Sequence, residues 1–225
     1  KNFRAPTFND LYWADSFAKG NPDLSPEKAY SSEMGFVYLP FNNVNILNAE
    51  LTVFANYIKD LILWQPVGSI WTPLNLKENF ARGIELNIKG LLSVKSLIFN
   101  YKLSYSYTKS TIEKIGENES ESILHNQIPY IPYHNVNLNL SGRYKGFSVS
   151  CFQNYTGKVY TDLTNLRTLE AYLLGNMSIA YEFNLANVQV STFFKINNIW
   201  NTNYQTVYLY PNPLRNYQLG LKMKF

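Results

Sequence analysis

The stretch LRNYQLGLKMKF, residues 214–225, alternates to its last position. Arg215, Tyr217, Leu219, Leu221, Met223 and Phe225 fall on one side of an extended strand; Asn216, Gln218, Gly220, Lys222 and Lys224 fall on the other. Side chains of a strand point alternately to opposite faces, so this segment has one mostly apolar and one polar side. Left unpaired on a soluble protein, such a strand is a template for aggregation. In a membrane barrel the same pattern sets the apolar side against lipid and the polar side toward the lumen.

The composition agrees with strands that are wet on one face. The 225 residues include 18 Tyr, 14 Phe and 4 Trp, and only 16% are charged. Aromatics favour strands and also form the girdles of outer-membrane barrels. Mean hydropathy is −0.22, and no apolar run approaches the roughly 18 residues of a membrane helix. A β-barrel hides half its residues from such an average, so this excludes only helical membrane proteins. The net charge of +4 is scattered without a Lys/Arg run, which gives a nucleic-acid partner no support. One cysteine, Cys151, and two histidines, His125 and His134, predict neither a disulfide framework nor a metal site.

Nine segments read as strands: 30–39, 46–62, 79–89, 97–109, 134–144, 147–155, 171–182, 188–197 and 214–225. Alternation alone fits a soluble, secreted carbohydrate-binding β-sandwich equally well. The connections separate the two. Gaps 40–45, 90–96, 145–146 and 183–187 are short; gaps 63–78, 110–133, 156–170 and 198–213 are long, and the two kinds strictly alternate. In an up-and-down barrel, alternate connections share a rim, so short turns line one end and long loops the other. A Greek-key sandwich has no reason to do this. The expected fold is therefore all-β, a transmembrane antiparallel up-and-down β-barrel. On these registers Glu33, Glu50, Glu85, Lys102, Arg143, Lys195, Lys222 and Lys224 face the lumen, where a charge avoids roughly 2–4 kcal/mol of mid-bilayer cost. Arg82 and Arg215 face outward near loop ends, within snorkelling reach of the interface. Nine is an odd number for a single-chain barrel, and the chain opens in a loop. The expectation is a C-terminal part of a longer protein: a loop over 1–29, then about nine strands over 30–225.

Several short motifs in order resemble TonB-dependent outer-membrane receptors. Phe3-Arg4-Ala5-Pro6-Thr7 resembles that family's FRAP-like box. Asn21-Pro22-Asp23-Leu24, with Pro26 and Glu27, resembles its NPDL-x-PE box, and Glu33 with Gly35 its following strand. Gly83-Ile84-Glu85 is similar to its G-V-E strand start, and Asn197-Asn198, Arg215 and the terminal Phe225 to its last hairpin. The resemblance implies the last nine strands of a 22-stranded barrel whose plug, with its TonB box, lies outside this chain. It implies an outer-membrane receptor of a Gram-negative bacterium importing a scarce small-molecule nutrient with energy from the TonB complex. Cobalamin or a ferric siderophore leads, because residues 7–20 lack the histidine common in haem receptors. Outer-membrane lipid and lipopolysaccharide are implied surroundings, and a surface lipoprotein a further partner. A passive porin or adhesin barrel is the alternative that needs no energy coupling.

Ligand contacts are expected from loop aromatics, which offer large, stiff surfaces to an amphipathic cargo: Tyr12, Trp13, Trp71, Tyr160, Tyr204, Tyr208 and Tyr210. Trp64 and Trp200 read as girdle residues. No nucleophile, zinc-protease or phosphate-loop motif is present, so neither a catalytic residue nor a cofactor is expected.

Overall fold

The computed structural model describes residues 1–40, 45–116 and 120–224. The elements in chain order are β1 (Asn2–Arg4), the short helix α1 (Phe8–Tyr12), β2 (Glu27–Tyr38), β3 (Asn45–Val67), β4 (Ile70–Val94) and β5 (Leu97–Lys114). A 3-10 turn at Glu121–Ile123 precedes β6 (His134–Tyr144), β7 (Phe147–Thr156), β8 (Val159–Tyr160) and β9 (Thr168–Leu169). The chain then forms β10 (Tyr172–Leu185), β11 (Val188–Asn197), β12 (Gln205–Val207), β13 (Tyr210–Pro211) and β14 (Asn216–Lys224). One antiparallel sheet holds β1-β2-β3-β4-β5-β6-β7-β10-β11-β14 in that order. β8/β9 and β12/β13 are separate small hairpins within the long connections. Every long strand pairs with its nearest long neighbours in sequence, the order of an up-and-down barrel wall and not of a sandwich.

The expected alternation is realised face by face. Along one cross-strand row lie Phe36, Leu51, Leu86, Tyr105, Val136, Tyr155 and Leu173. The adjacent row on the opposite face holds Glu50, Asn87, Ser104, Asn137 and Asn154. The first face leaves Phe36, Leu51, Val149, Ile179 and Leu219 exposed. A continuous apolar surface of that extent requires lipid. Glu33, Glu85, Lys102, Arg143, Lys195 and Lys222 all take polar-face positions by the same register. Phe225 and the 41–44 turn lie outside the described residues.

The short turns are tighter than their sequence suggests. β4 and β5 meet at Lys95-Ser96 and β10 and β11 at Ala186-Asn187, with Lys95 at φ 53° and Ala186 at φ 52°. Lys145 and Gly146 take φ 44° and 84°, the positive pair that a two-residue hairpin with right-handed strand twist requires.

The long rim departs furthest from expectation. Residues 63–78, expected as a loop, are strand: β3 and β4 remain paired from Leu61↔Leu76 to Val67↔Ile70. Pro66 and Pro73 break the strand pattern in sequence because proline lacks an N–H to donate. Here the loss carries little consequence, since β2 leaves β3 at Lys59 and β5 leaves β4 at Glu78. Beyond those points no other long strand flanks the hairpin among the described residues; segment 17–19 bridges it at Trp71, and proline is tolerated at such an edge.

β5 also runs five residues past its expected end, although β6 stops pairing at Tyr107↔His134. The following loop covers the exposed edge. Ile112 N donates to Asn126 O, His125 N to Ile112 O, and Ile128 N to Ser110 O at 2.8–3.1 Å. Buried Gln127 accepts from Ser110 N at 2.9 Å and donates to Thr108 O and Ile131 O. The buried side chains Leu76, Ile112, Ile123 and Ile128 form a small core here, with Leu61, Leu63, Ile115, Ile131 and Leu163 against it. Three stretches well apart in sequence, 61–76, 112–131 and Leu163, thus share one apolar cluster on the long-loop rim.

Candidate functional site

The two N-terminal boxes are joined to each other and to the β3–β4 hairpin. Thr7 caps α1: its hydroxyl accepts from Asp10 N at 3.1 Å, and the Asp10 carboxylate accepts from Thr7 N at 2.9 Å. This reciprocal pair satisfies helix-end donors that five residues of helix could not otherwise satisfy. Arg4 lies 3.6 Å from Asp10 and donates to Glu27 at 2.5 Å. Glu27 also accepts from Ile62 N at 2.8 Å, and Asp10 from the Trp64 indole at 2.9 Å. Burial would raise the Asp10 pKa, but the Thr7 bonds, the Trp64 indole and the Arg4 charge together hold it below its ordinary value. The hydrogen bond to Glu27 raises the Arg4 pKa.

Asn21 donates to Pro73 O at 3.2 Å, and Asn75 bonds both Ser25 N and Ser25 O. Trp71 accepts from Lys19 N and donates to Phe17 O through its backbone at 2.8 Å. Gly20 packs so closely on α1 that a Cβ there would lie 2.6 Å from the carbonyl carbon of Leu11. Arg4, Asn21 and Glu27 therefore act by fixing the segment 1–29 on the hairpin. Pro22 and Pro26 are exposed between these anchors, and Pro6 stiffens the approach to the helix cap. Phe3 is exposed on β1. Trp64, expected in an aromatic girdle, instead serves Asp10; its sequence neighbours gave no sign of a partner 54 positions away.

Farther along, Gly83 is a steric requirement. A Cβ would press on the carbonyl oxygen of Tyr107 and lie 2.8 Å from the Phe54 ring, which covers the glycine across the strand pair. Gly35 carries no such constraint, with only Thr52 Oγ1 at 3.8 Å. Glu33 and Glu85 sit on the polar wall near these positions. Asn198 is buried at φ 52°, donates to Thr202 O and Pro213 O, and accepts from Thr202 N at 2.9 Å. Asn197 donates to Asn216, and Arg215 N to Asn201. The Trp200 indole donates to Gln153 at 2.8 Å on the outward face, the position of a girdle residue.

The aromatic contact candidates form two groups. Tyr12, Trp13 and Trp71 are exposed around the docked segment 1–29, beside exposed Phe8 and Phe17, with Phe8 and Tyr12 in ring contact at 5.1 Å. Tyr204 packs on Tyr172 at 4.9 Å; Tyr208 lies under the Arg167 guanidinium at 5.4 Å; Tyr210 is exposed at the β12–β13 tip. Tyr160 pairs with Thr168 on the β8–β9 hairpin, next to the Arg167 that covers Tyr208, and its carbonyl accepts from Tyr130 N. Tyr172, Tyr130 and Arg167 were missed by sequence reading because they lie at strand ends or beside no motif.

Below the loops, the polar wall carries hydrogen-bonded amides. Asn135, Thr156, Asn154 and Asn137 form a closed ring with bonds of 2.8–3.4 Å. A shallow concavity nearby is lined by Asn100, Lys102, Asn139, Asn176, Lys195 and Asn197. Such a wall offers polar groups at fixed spacing to whatever fills the lumen.

One sheet with an apolar outer face, a polar inner wall and aromatic-bearing loops on a single rim defines part of a transmembrane β-barrel of the receptor type. The family model described as TonB dependent receptor-like, beta-barrel matches residues 1–199, and the chain belongs to that family. It is similar to the vitamin B12 transporter BtuB of Vibrio vulnificus, 30% identical over 209 residues, covering 92% of this chain and 30% of that protein. It is 27% identical over 228 residues to the BtuB of Photobacterium profundum, covering 99% and 34%. Among solved structures, the siderophore receptor PiuA from Acinetobacter baumannii superposes with TM-score 0.68 at 22% identity, over 92% of this chain and 30% of that one. The copper transporter OprC gives 0.66 at 16% identity, over 97% and 35%. These superpositions concern the fold. The chain spans about a third of the length of the curated relatives it matches.

Proposed function

We propose that this chain is the outer-wall and loop portion of an outer-membrane receptor that imports a corrinoid of the cobalamin type, driven by the TonB complex. The observation that carries the reading is the docked N-terminal segment. It sets Tyr12, Trp13 and Trp71 on the same rim as Tyr204, Tyr208 and Tyr210 while the wall below stays polar. Stiff aromatics suit the flat, partly apolar body of a large cofactor, and the polar wall suits a hydrated path past a plug. The relatives named as vitamin B12 transporters support the corrinoid over a ferric siderophore. TonB would act through a segment outside this chain, and a surface lipoprotein could cover the loops from above.

The reading is tested by uptake of labelled cyanocobalamin into cells that lack the full-length gene and carry it back on a plasmid. Restored, TonB-dependent uptake is expected. Uptake that persists without TonB would indicate a passive pore. Restored growth on ferric siderophores with no corrinoid uptake would shift the cargo to the second class.

A further inference from the structure

We infer that cargo crosses the barrel along one side of its lumen, the inner face of β5, β6, β7 and β10, while the inner face of β2–β4 holds the plug. The two sectors carry different chemistry. On β2–β4 the inward residues include Glu33, Glu50 and Glu85, together with Phe54, whose ring covers Gly83. The three carboxylates have no ion pair among the described residues. A charge enclosed without a partner is costly, so a body packed into the lumen gains most by supplying donors or cations here.

The neighbouring sector is neutral, built of short side chains and satisfied within itself. Inward along β5 stand Ser104, Ser106 and Thr108; Asn137 and Asn135 of β6 lie opposite the first two, and Asn154 and Thr156 of β7 lie beyond them. The Ser104 hydroxyl donates to Asn87 at 2.7 Å, the four β6–β7 side chains bond one another, and Ser150 and Ser178 share a bond of 2.7 Å. Groups whose bonds are already made within the wall hold a plug weakly, and short side chains leave room for water. The strip also runs unbroken from rim to base. At its top, Tyr172 follows Thr156 in the same row and packs on Tyr204 of the aromatic-bearing tip. Toward its base lies the concavity of Lys102, Asn139, Asn176 and Lys195. Amides and hydroxyls at fixed spacing exchange hydrogen bonds with the amide arms of a corrinoid at many weak stations, which passage requires and tight binding prevents.

This inference deepens the import reading above and rests on it. The test uses the full-length receptor in cells, with surface binding and TonB-dependent uptake of labelled cyanocobalamin measured separately. Ser106→Trp should bind as wild type while uptake falls about tenfold, the scale expected when a large side chain is forced into a close-fitted passage. Ser106→Ala should import as wild type, which separates obstruction from loss of the hydroxyl. Ser150→Trp, lower on the same strip, gives the same reading where Ser106→Trp does not assemble, as judged by heat-modifiable migration on gels. Glu33→Gln, Glu50→Gln and Glu85→Gln together should instead loosen the plug, so that cells become sensitive to vancomycin, a solute too large for ordinary porins. Normal uptake by the folded Trp variants would overturn the path. A triple Gln variant as impermeable as wild type would overturn the anchoring sector. Wild-type receptor that neither binds nor imports cyanocobalamin defeats the corrinoid reading itself, a result distinct from a block confined to uptake.

Discussion

Two regions of the long-loop rim carry exposed aromatics, and they are held in opposite ways. The segment 1–29 is held by an internal ion pair of Arg4 on Glu27 and by bonds to the β3–β4 hairpin, two of them charged (Ile62 on Glu27, Trp64 on Asp10) and one neutral (Asn21 on Pro73). The tip 198–215 is fixed by neutral amides close in sequence: Asn198 to Thr202 and Pro213, Gln205 to Leu209, and Asn201 to Arg215. The first is a strap tied across the β3–β4 hairpin; the second is tied to itself and to the ends of β7 and β10 directly beneath it. Damage to the strap should therefore spread to the hairpin, while damage to the tip should stay local.

The sharpest break of that contrast is Glu27→Ala. It strips Arg4 of its closest partner and leaves the buried Ile62 N–H unsatisfied. Hydrogen bonds to charged groups are worth about 1.5–3 kcal/mol, and half-exposed Arg4 keeps the ionic share toward the lower end. In the full-length receptor, strap docking should weaken by about 2–3 kcal/mol, read as protease cleavage within 13–26 and faster amide exchange at 60–66. Unchanged protection in both places would show that the strap is held by its apolar contacts alone.

Asn198→Ala comes next. It removes three side-chain bonds and leaves a non-glycine, non-asparagine residue at φ 52°. A cost of about 1–3 kcal/mol is expected, confined to 198–215 in hydrogen exchange, with Gly recovering the backbone share. Spread of the effect into β3 and β4 would erase the distinction between strap and tip.

How much of this was legible beforehand follows from the range of the interactions. The alternation of β6, β7 and β11 is local, and their spans 134–144, 147–156 and 188–197 match the expected 134–144, 147–155 and 188–197 to a residue. Lumen-facing Lys102 and Lys195 followed from the same period of two. The 63–78 hairpin was not legible, because Pro66 and Pro73 argue against strand unless the neighbouring strands are known to have ended. The role of Trp64 depends on Asp10, 54 residues away, which no local pattern reports. Motif resemblance did bring Arg4, Asn21 and Glu27 forward, but their task of docking a segment emerges only from the partners they meet.

Acidification acts on the strap and spares the tip. Folding holds the Asp10 pKa below its ordinary 3.8, so its contribution is fully present above that value and is lost as pH falls through the lower, folded-state value. Strap protection, corrected for intrinsic exchange, should decline only below about pH 4, while protection at 198–202 stays flat, since Asn198 and Thr202 do not titrate. Asp10→Asn should flatten the strap profile. A strap that loosens near neutral pH would point to a different ionisation.

The smallest structural effect, and the most telling functional one, belongs to Tyr210→Ala. Its ring is exposed and none of the hydrogen bonds holding the tip uses its hydroxyl, so stability should change by less than about 0.5 kcal/mol. If the tip is a contact surface, cargo affinity should fall about five- to tenfold with exchange protection unchanged, the range of a single aromatic contact outside a hot spot. Tyr204→Ala is the control from the same loop. Its ring packs on Tyr172 at 4.9 Å, so it should lose both affinity and local protection. Equal binding by the Tyr210 variant would leave the strap aromatics Tyr12, Trp13 and Trp71 as the contact surface. The rim would then divide into one region that binds and one that only closes the barrel's edge.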